Sequence, residues 1–107
     1  MLKSLHRRHN QVFLELLRRR REIGKLRQTD LAQYLGSDQA TVSKVENGGR
    51  RLDVIELREW LLALEVDFLD FMHELDDLLK SQPTLDQRLA TMRRRLARPR
   101  SKQHKET

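Results

Sequence analysis

Gln39, Ala40, Thr41, Ser43 and Lys44 place an amide, a methyl group, two hydroxyls and an ammonium within six consecutive positions. These groups suit base edges and phosphates. An amide spans adenine N6 and N7, and a methyl group meets the thymine methyl. An ammonium reaches guanine O6/N7 or a phosphate, and short hydroxyls serve phosphates. The chemistry is recognition rather than bond-making. No Ser/His/Asp arrangement is legible and no glycine-rich phosphate loop is present, so no catalytic residue, cofactor or enzyme activity is expected. With no cysteine, a disulfide framework, a thiolate zinc site and a cysteine nucleophile are excluded, and a reducing cytosol is the expected setting.

Those side chains need a scaffold, and the flanking apolar spacing supplies one. Residues 28–35 and 39–46 read as two short helices joined at Gly36. Leu31, Ala32 and Leu35 on the first would pack on Val42 and Val45 of the second, with small Ala32 at the closest approach. Gly36 provides the left-handed backbone of a sharp helix exit, and Asp38 is a good N-cap for the helix that follows. Asn47-Gly48-Gly49 stops it. A helix-turn-helix lays its first helix across the DNA backbone and inserts its second, N-terminus first, into the major groove. The hairpin meets that spacing.

The remaining elements are helical too. Residues 1–11 look like a basic arm running into a helix over 12–23, with Phe13, Leu16, Leu17 and Arg20 on one face and Gly24 at its end. Asp53 and Glu56 form a capping-box pattern before a helix over about 54–64, carrying Val54, Leu57, Trp60, Leu61 and Leu64. Asp67 and Asp70 open a fifth over about 68–80, whose apolar face is wider than the core of one copy requires. Pro83 breaks the pattern. A last amphipathic helix runs over about 84–97, striped by Leu85, Leu89, Met92 and Leu96, before a polar tail expected to be disordered. The expected organisation is an N-terminal arm (1–11), a DNA-binding domain (12–80), and a C-terminal helix with a basic tail (81–107). Trp60 is expected in the core. His6 and His9 lack the carboxylate or thiolate partners of a metal site, so none is expected.

At 107 residues the chain has a one-domain length, with 37% apolar and 36% charged residues and a net charge of +6. Residues 1–25 carry eight Lys/Arg against two Glu, and residues 81–107 eight against two acids. Residues 53–80 carry nine acids against two bases. Basic ends around an acidic segment suggest a polyanion on one side of the molecule. The N-terminus lacks the pattern of a signal peptide, and no apolar run approaches the roughly 20 residues that span a bilayer. No membrane is expected, and the expected location is the cytoplasm, with the nucleoid.

From Leu17 to Met72 the chain resembles the lambda-repressor/Cro-like family, the Xre-type regulators of bacteria and phages. The matching pieces are Arg21, Gln28, Leu31-Ala32, Leu35-Gly36, Thr41-Val42-Ser43-Lys44, Glu46-Asn47-Gly48 and Arg50-Arg51-Leu52-Asp53-Val54. The resemblance implies an all-α, five-helix lambda-repressor-like fold, here with the C-terminal helix appended. It implies that Gln28 binds a phosphate and braces Gln39. Gln39, Ala40 and Lys44 would read bases, and Thr41 and Ser43 would serve phosphates. Asn47 and the Gly48 amide would clamp a phosphate, extended by Arg50 and Arg51. Arg21 would pair with Glu46, and both, with Asp38, would support the site.

Three positions depart from the family pattern. Arg27 stands where Thr or Ser usually caps the second helix. Asp38 replaces a neutral hydroxyl at the cap of the reading helix and brings a negative charge near phosphates. Glu65 replaces a glycine between the last two helices, so that turn and the placement of the fifth helix are expected to differ. The function implied is a dimeric repressor reading an inverted repeat in double-stranded DNA, with Phe68, Phe71, Met72, Leu75 and Leu79 as the dimer interface. Two alternatives stand beside it. One is an antitoxin-type protein that binds a toxin or another regulator and represses its own operon. The other is a non-specific nucleic-acid or membrane-surface binder driven by the basic ends.

Overall fold

The computed structural model describes residues 2–81 and 92–96, with side chains from Leu5 onward. Five helices follow in order, α1 (Leu2–Ile23), α2 (Gln28–Leu35), α3 (Gln39–Glu46), α4 (Val54–Ala63) and α5 (Phe68–Lys80), with no strand among the described residues. Residues 92–96 are helical and exposed. The remainder of the expected C-terminal helix and the basic tail lie outside the described residues.

Three of the four short helices, α3, α4 and α5, start where a side chain satisfies a free amide. Asp38 Oδ1 accepts the Thr41 N–H at 2.8 Å. Asp53 Oδ1 accepts the Glu56 N–H at 2.7 Å, and Glu56 Oε1 accepts the Asp53 N–H at 2.9 Å, completing the expected capping box. Asp67 caps α5 through the Asp70 N–H at 3.1 Å. At the start of α2 an arginine cannot accept an amide, so capping runs only in reverse. Asp30 accepts the Arg27 N–H at 2.8 Å and holds the guanidinium at 3.0 and 3.1 Å. The Arg27 guanidinium is therefore committed to its own helix.

One helix exit meets expectation and one does not. α1 ends at Ile23, directly before Gly24 as expected, and the chain then turns at Lys25 in the left-handed conformation (φ 60°), with Leu26 N–H reaching back to Arg21 O at 3.1 Å. Glu65 was expected to alter the turn before α5. Instead it takes the left-handed conformation itself (φ 61°), and Val66 N–H closes on Leu61 O at 2.9 Å. Packing on both sides of the turn outweighs the steric cost of a Cβ there.

The core is a single cluster: Leu16 and Leu17 from α1, Leu31 and Ala32 from α2, Val42 and Val45 from α3, Leu57, Trp60, Leu61 and Leu64 around α4, and Phe71 from α5. The Phe13 and Phe71 rings meet edge-on, with centroids 6.1 Å apart. Leu5 is buried as well, and it explains why α1 starts at Leu2 rather than near Val12. Leu5, Val12, Phe13, Leu16 and Leu17 form one apolar stripe, so the expected arm is the first half of the helix. Val54, at the first turn of α4, is exposed.

Phe71 is a second correction. It was expected at a dimer interface, but its exposure is 0%, so no second copy can reach it without unfolding this one. Phe68, Met72 and Leu75 are partly buried against the core, and Leu79 is half-buried. The apolar side chain that α5 leaves open is Leu69, at 67% exposure.

Candidate nucleic-acid interface

α2 and α3 pack closely, with Leu31, Ala32, Val42 and Val45 all buried between them. Gly36 (φ 66°) makes the turn, and its amide and that of Ser37 close on the last carbonyls of α2. The turn leaves the first residues of α3 projecting. Gln39, Ala40 and Lys44 are exposed, and Thr41 and Ser43 are half-exposed.

A chain of hydrogen bonds runs from the interior to that surface. Arg21 donates to Glu46 through Nε (2.6 Å) and Nη2 (3.0 Å), and through Nη1 to the Leu26 carbonyl at 2.7 Å. Glu46 is buried, and its Oε1 also accepts Gln28 Nε2 at 2.9 Å. Gln28 Oε1 in turn accepts Gln39 Nε2 at 2.7 Å. A carboxylate can only accept, so Glu46 dictates that the Gln28 amide points its nitrogen inward and its oxygen at Gln39. That orients Gln39 too. One N–H is used, and the other N–H and Oε1 face outward as an adjacent donor and acceptor. The pairing of Arg21 with Glu46 and of Gln28 with Gln39 was expected. The link from Glu46 to Gln28 was not, because the two lie far apart in sequence and Glu46 already had a partner in Arg21.

At the far end of α3, Asn47 Nδ2 donates to Ser43 Oγ at 3.3 Å, and Asn47 is exposed. Gly48 takes a left-handed φ of 85°. Its N–H, expected to hold a phosphate, already donates to Val45 O at 3.0 Å, while Gly49 N–H closes on Lys44 O at 2.8 Å. The two bonds form a Schellman exit, so Gly48 shapes the turn rather than offering an amide. Arg50 Nη2 is tied to Glu56 Oε2 at 2.8 Å, and Arg51 is exposed. The Arg50 bond, with the Asp53 N–H behind it, holds the Glu56 carboxyl below its ordinary range.

Charge at the mouth of the site is mixed. Asp38 is exposed beside Gln39, and Thr41, through its side chain and then its N–H, keeps the Asp38 carboxyl below the usual carboxylate range. His6 faces the loop after α3, whereas His9 turns inward with its Nε2 buried and unpartnered among the described residues.

A family profile for helix-turn-helix proteins matches residues 17–71. Among solved structures, an XRE-family like protein from Pseudomonas syringae pv. tomato str. DC3000 is 36% identical. The match covers 71% of this chain and 93% of that one, at a TM-score of 0.67. No curated protein sequence matches the chain.

Proposed function

The chain belongs to the XRE family of helix-turn-helix proteins, DNA-binding transcription regulators, and on that premise we propose that it is a dimeric repressor reading an inverted-repeat operator. The observation that carries this reading is the oriented Gln39 amide, held at 2.7 Å by Gln28. Inserted N-terminus first, α3 carries Gln39 to the floor of the major groove. Its free Oε1 accepts from adenine N6 and its second N–H donates to N7. Ala40 meets a thymine methyl, and Lys44, one turn on, takes guanine or a phosphate. Gln28, Thr41, Ser43, Asn47, Arg50 and Arg51 hold the backbone on either side. Asp38 caps α3 and limits how closely a phosphate approaches the first turn.

Selection of bound duplexes from a random pool tests this reading directly. It should return two half-sites about 10 base pairs apart, related by a two-fold axis. Gln39→Ala should lose discrimination at one adenine per half-site, by about 1–3 kcal/mol. Unchanged preference in that variant would show that the assigned register is wrong. A second reading, an antitoxin-type partner, is favoured by the exposed apolar side chains Ile55, Leu62 and Leu69 on the acidic α4–α5 segment. A toxin-like protein co-purifying in stoichiometric amount would decide for it.

A further inference from the structure

We propose that the outer face of α1 is a second DNA-backbone contact, carrying the bound duplex beyond each half-site; it rests on the reading of α3 as the groove helix. Arg7, Gln11, Leu14 and Arg18 recur at i, i+4, i+7 and i+11, so they form one stripe along the helix. Leu14 anchors that stripe to the exit of α3, since a Cβ on Gly48 would stand 3.5 Å from its Cδ1. Beside Leu14, Gln11 and Arg18 share an open cleft of about 360 Å³ with Asn47, the side chain assigned to a phosphate. On its other flank, His6 and Asn10 share a cleft of about 200 Å³ with Arg50 and Arg51. The stripe is therefore continuous with the backbone-binding edge of the hairpin.

Its arginines are also free to act. Arg20, Arg21, Arg27 and Arg50 each pair with a carboxylate. Arg7 and Arg18 are exposed and pair with none among the described residues. Three carboxylates lie near the Arg18 end of the stripe: Glu15 and Glu46 line the larger cleft, Glu46 already tied to Arg21 and Gln28, and Glu22 follows Arg18 by one turn of α1. They weaken the attraction beside Arg18 and leave Arg7, two turns or more from Glu15 and Glu22 along the helix, less affected. From Arg18 to Arg7 the helix runs about 16 Å, at about 1.5 Å per residue. That length reaches past the phosphate at Asn47 to others on the same strand, spaced about 3.4 Å along the axis. Two cations free of carboxylate partners among the described residues, on one stripe beside a single-sign polymer, fit the electrostatic footprint of backbone binding. The family profile begins at residue 17, so most of this contact belongs to the stretch that precedes it.

The test uses the full chain, its selected operator, and two duplex lengths: one ending at the half-sites, the other extended by about 10 base pairs on each side. Wild type should bind the extended duplex several-fold more tightly. Arg7→Gln should abolish that gain, lower the slope of log K against log salt by about 1, and leave the selected bases unchanged. Arg18→Gln should weaken binding to both lengths. Glutamine keeps the helix propensity of arginine, and both positions are exposed, so melting curves should match wild type. If both variants bind the extended duplex with wild-type affinity and slope, or if they change the oligomeric state instead, the proposal is overturned. Backbone contact is blind to sequence, so the slopes on a random duplex decide it even when no operator is recovered. Failure of the α3 reading would appear separately, as loss of selection by wild type.

Discussion

At the scale of single residues, the site depends on an interior ion pair that never meets DNA. The Glu46 side chain is 1% exposed and shares its two oxygens between Arg21 and Gln28. Arg21→Ala would strand that carboxylate, and a loss of about 3–5 kcal/mol is expected in urea unfolding. Gln28→Ala removes one of the donors to Glu46 along with the link to Gln39. It should cost about 1–3 kcal/mol in urea unfolding, less than Arg21→Ala, and broaden preference at the base facing Gln39, as read by competition gel shift. Asp38 works in the other direction. Its folded pKa is depressed, so its contribution to stability is present above the ordinary carboxylate pKa and is lost as pH falls through the lowered value. Asp38→Ser keeps an N-cap acceptor but should flatten the acid limb of Tm against pH below about pH 4. It should also tighten DNA binding at low salt. The Asp38 cap was legible from residue type and position, and the Gln28–Gln39 bond through the family resemblance. The Gly48 amide was not, because its engagement depends on a backbone φ that the letters Asn-Gly-Gly do not specify.

At the scale of elements, short caps and turns explain both what the sequence disclosed and what it hid. The bounds of α2, α3 and α5 follow from Gly36, Asp38, Asn47 and Asp67, each a strong local signal. The start of α1 did not, because one apolar residue, Leu5, sits among Lys3, His6, Arg7 and Arg8, and the basic letters mask a helical stripe. Gly24 marked the end of α1, but glycine did not mark the left-handed residue at two exits. Gly24 precedes the left-handed position, which Lys25 fills, and Glu65 fills another where the family pattern has glycine. An L-residue in that conformation costs on the order of 1 kcal/mol. Glu65→Gly and Lys25→Gly should therefore each stabilise the fold by about 0.5–1 kcal/mol, raising Tm by a few degrees. The converse substitution, Gly36→Ala, meets no atom within 4 Å, so only the φ of 66° opposes it. It should cost about 1 kcal/mol, with α3 left intact by circular dichroism.

At the scale of the whole molecule, charge is partitioned between α1 and the α4–α5 segment, and the two are bridged where Arg20 meets Glu74 at 2.8 Å and Phe13 meets Phe71. Acidic side chains repel DNA and so favour docking orientations that turn most of this segment away from it, although Glu56 and Glu59 share a cleft with Thr41 of the reading helix. The segment also leaves Leu69, Leu62 and Ile55 uncovered among like charges, an arrangement suited to meeting another protein. The dimer proposed here must use what α5 exposes. Phe71→Ala would open a cavity in the core and is expected to cost about 3–5 kcal/mol, so its effect on association would be uninterpretable. Leu69→Ser replaces a mostly exposed side chain and should change unfolding by about 0.5 kcal/mol. In sedimentation equilibrium at micromolar concentration, wild type should be dimeric and Leu69→Ser largely monomeric. On DNA, the variant should keep its affinity for an isolated half-site and lose the cooperative gain of the paired operator. A Leu69→Ser protein that remains dimeric would remove α5 from the interface. Wild type that is monomeric both free and on its operator would end the inverted-repeat reading.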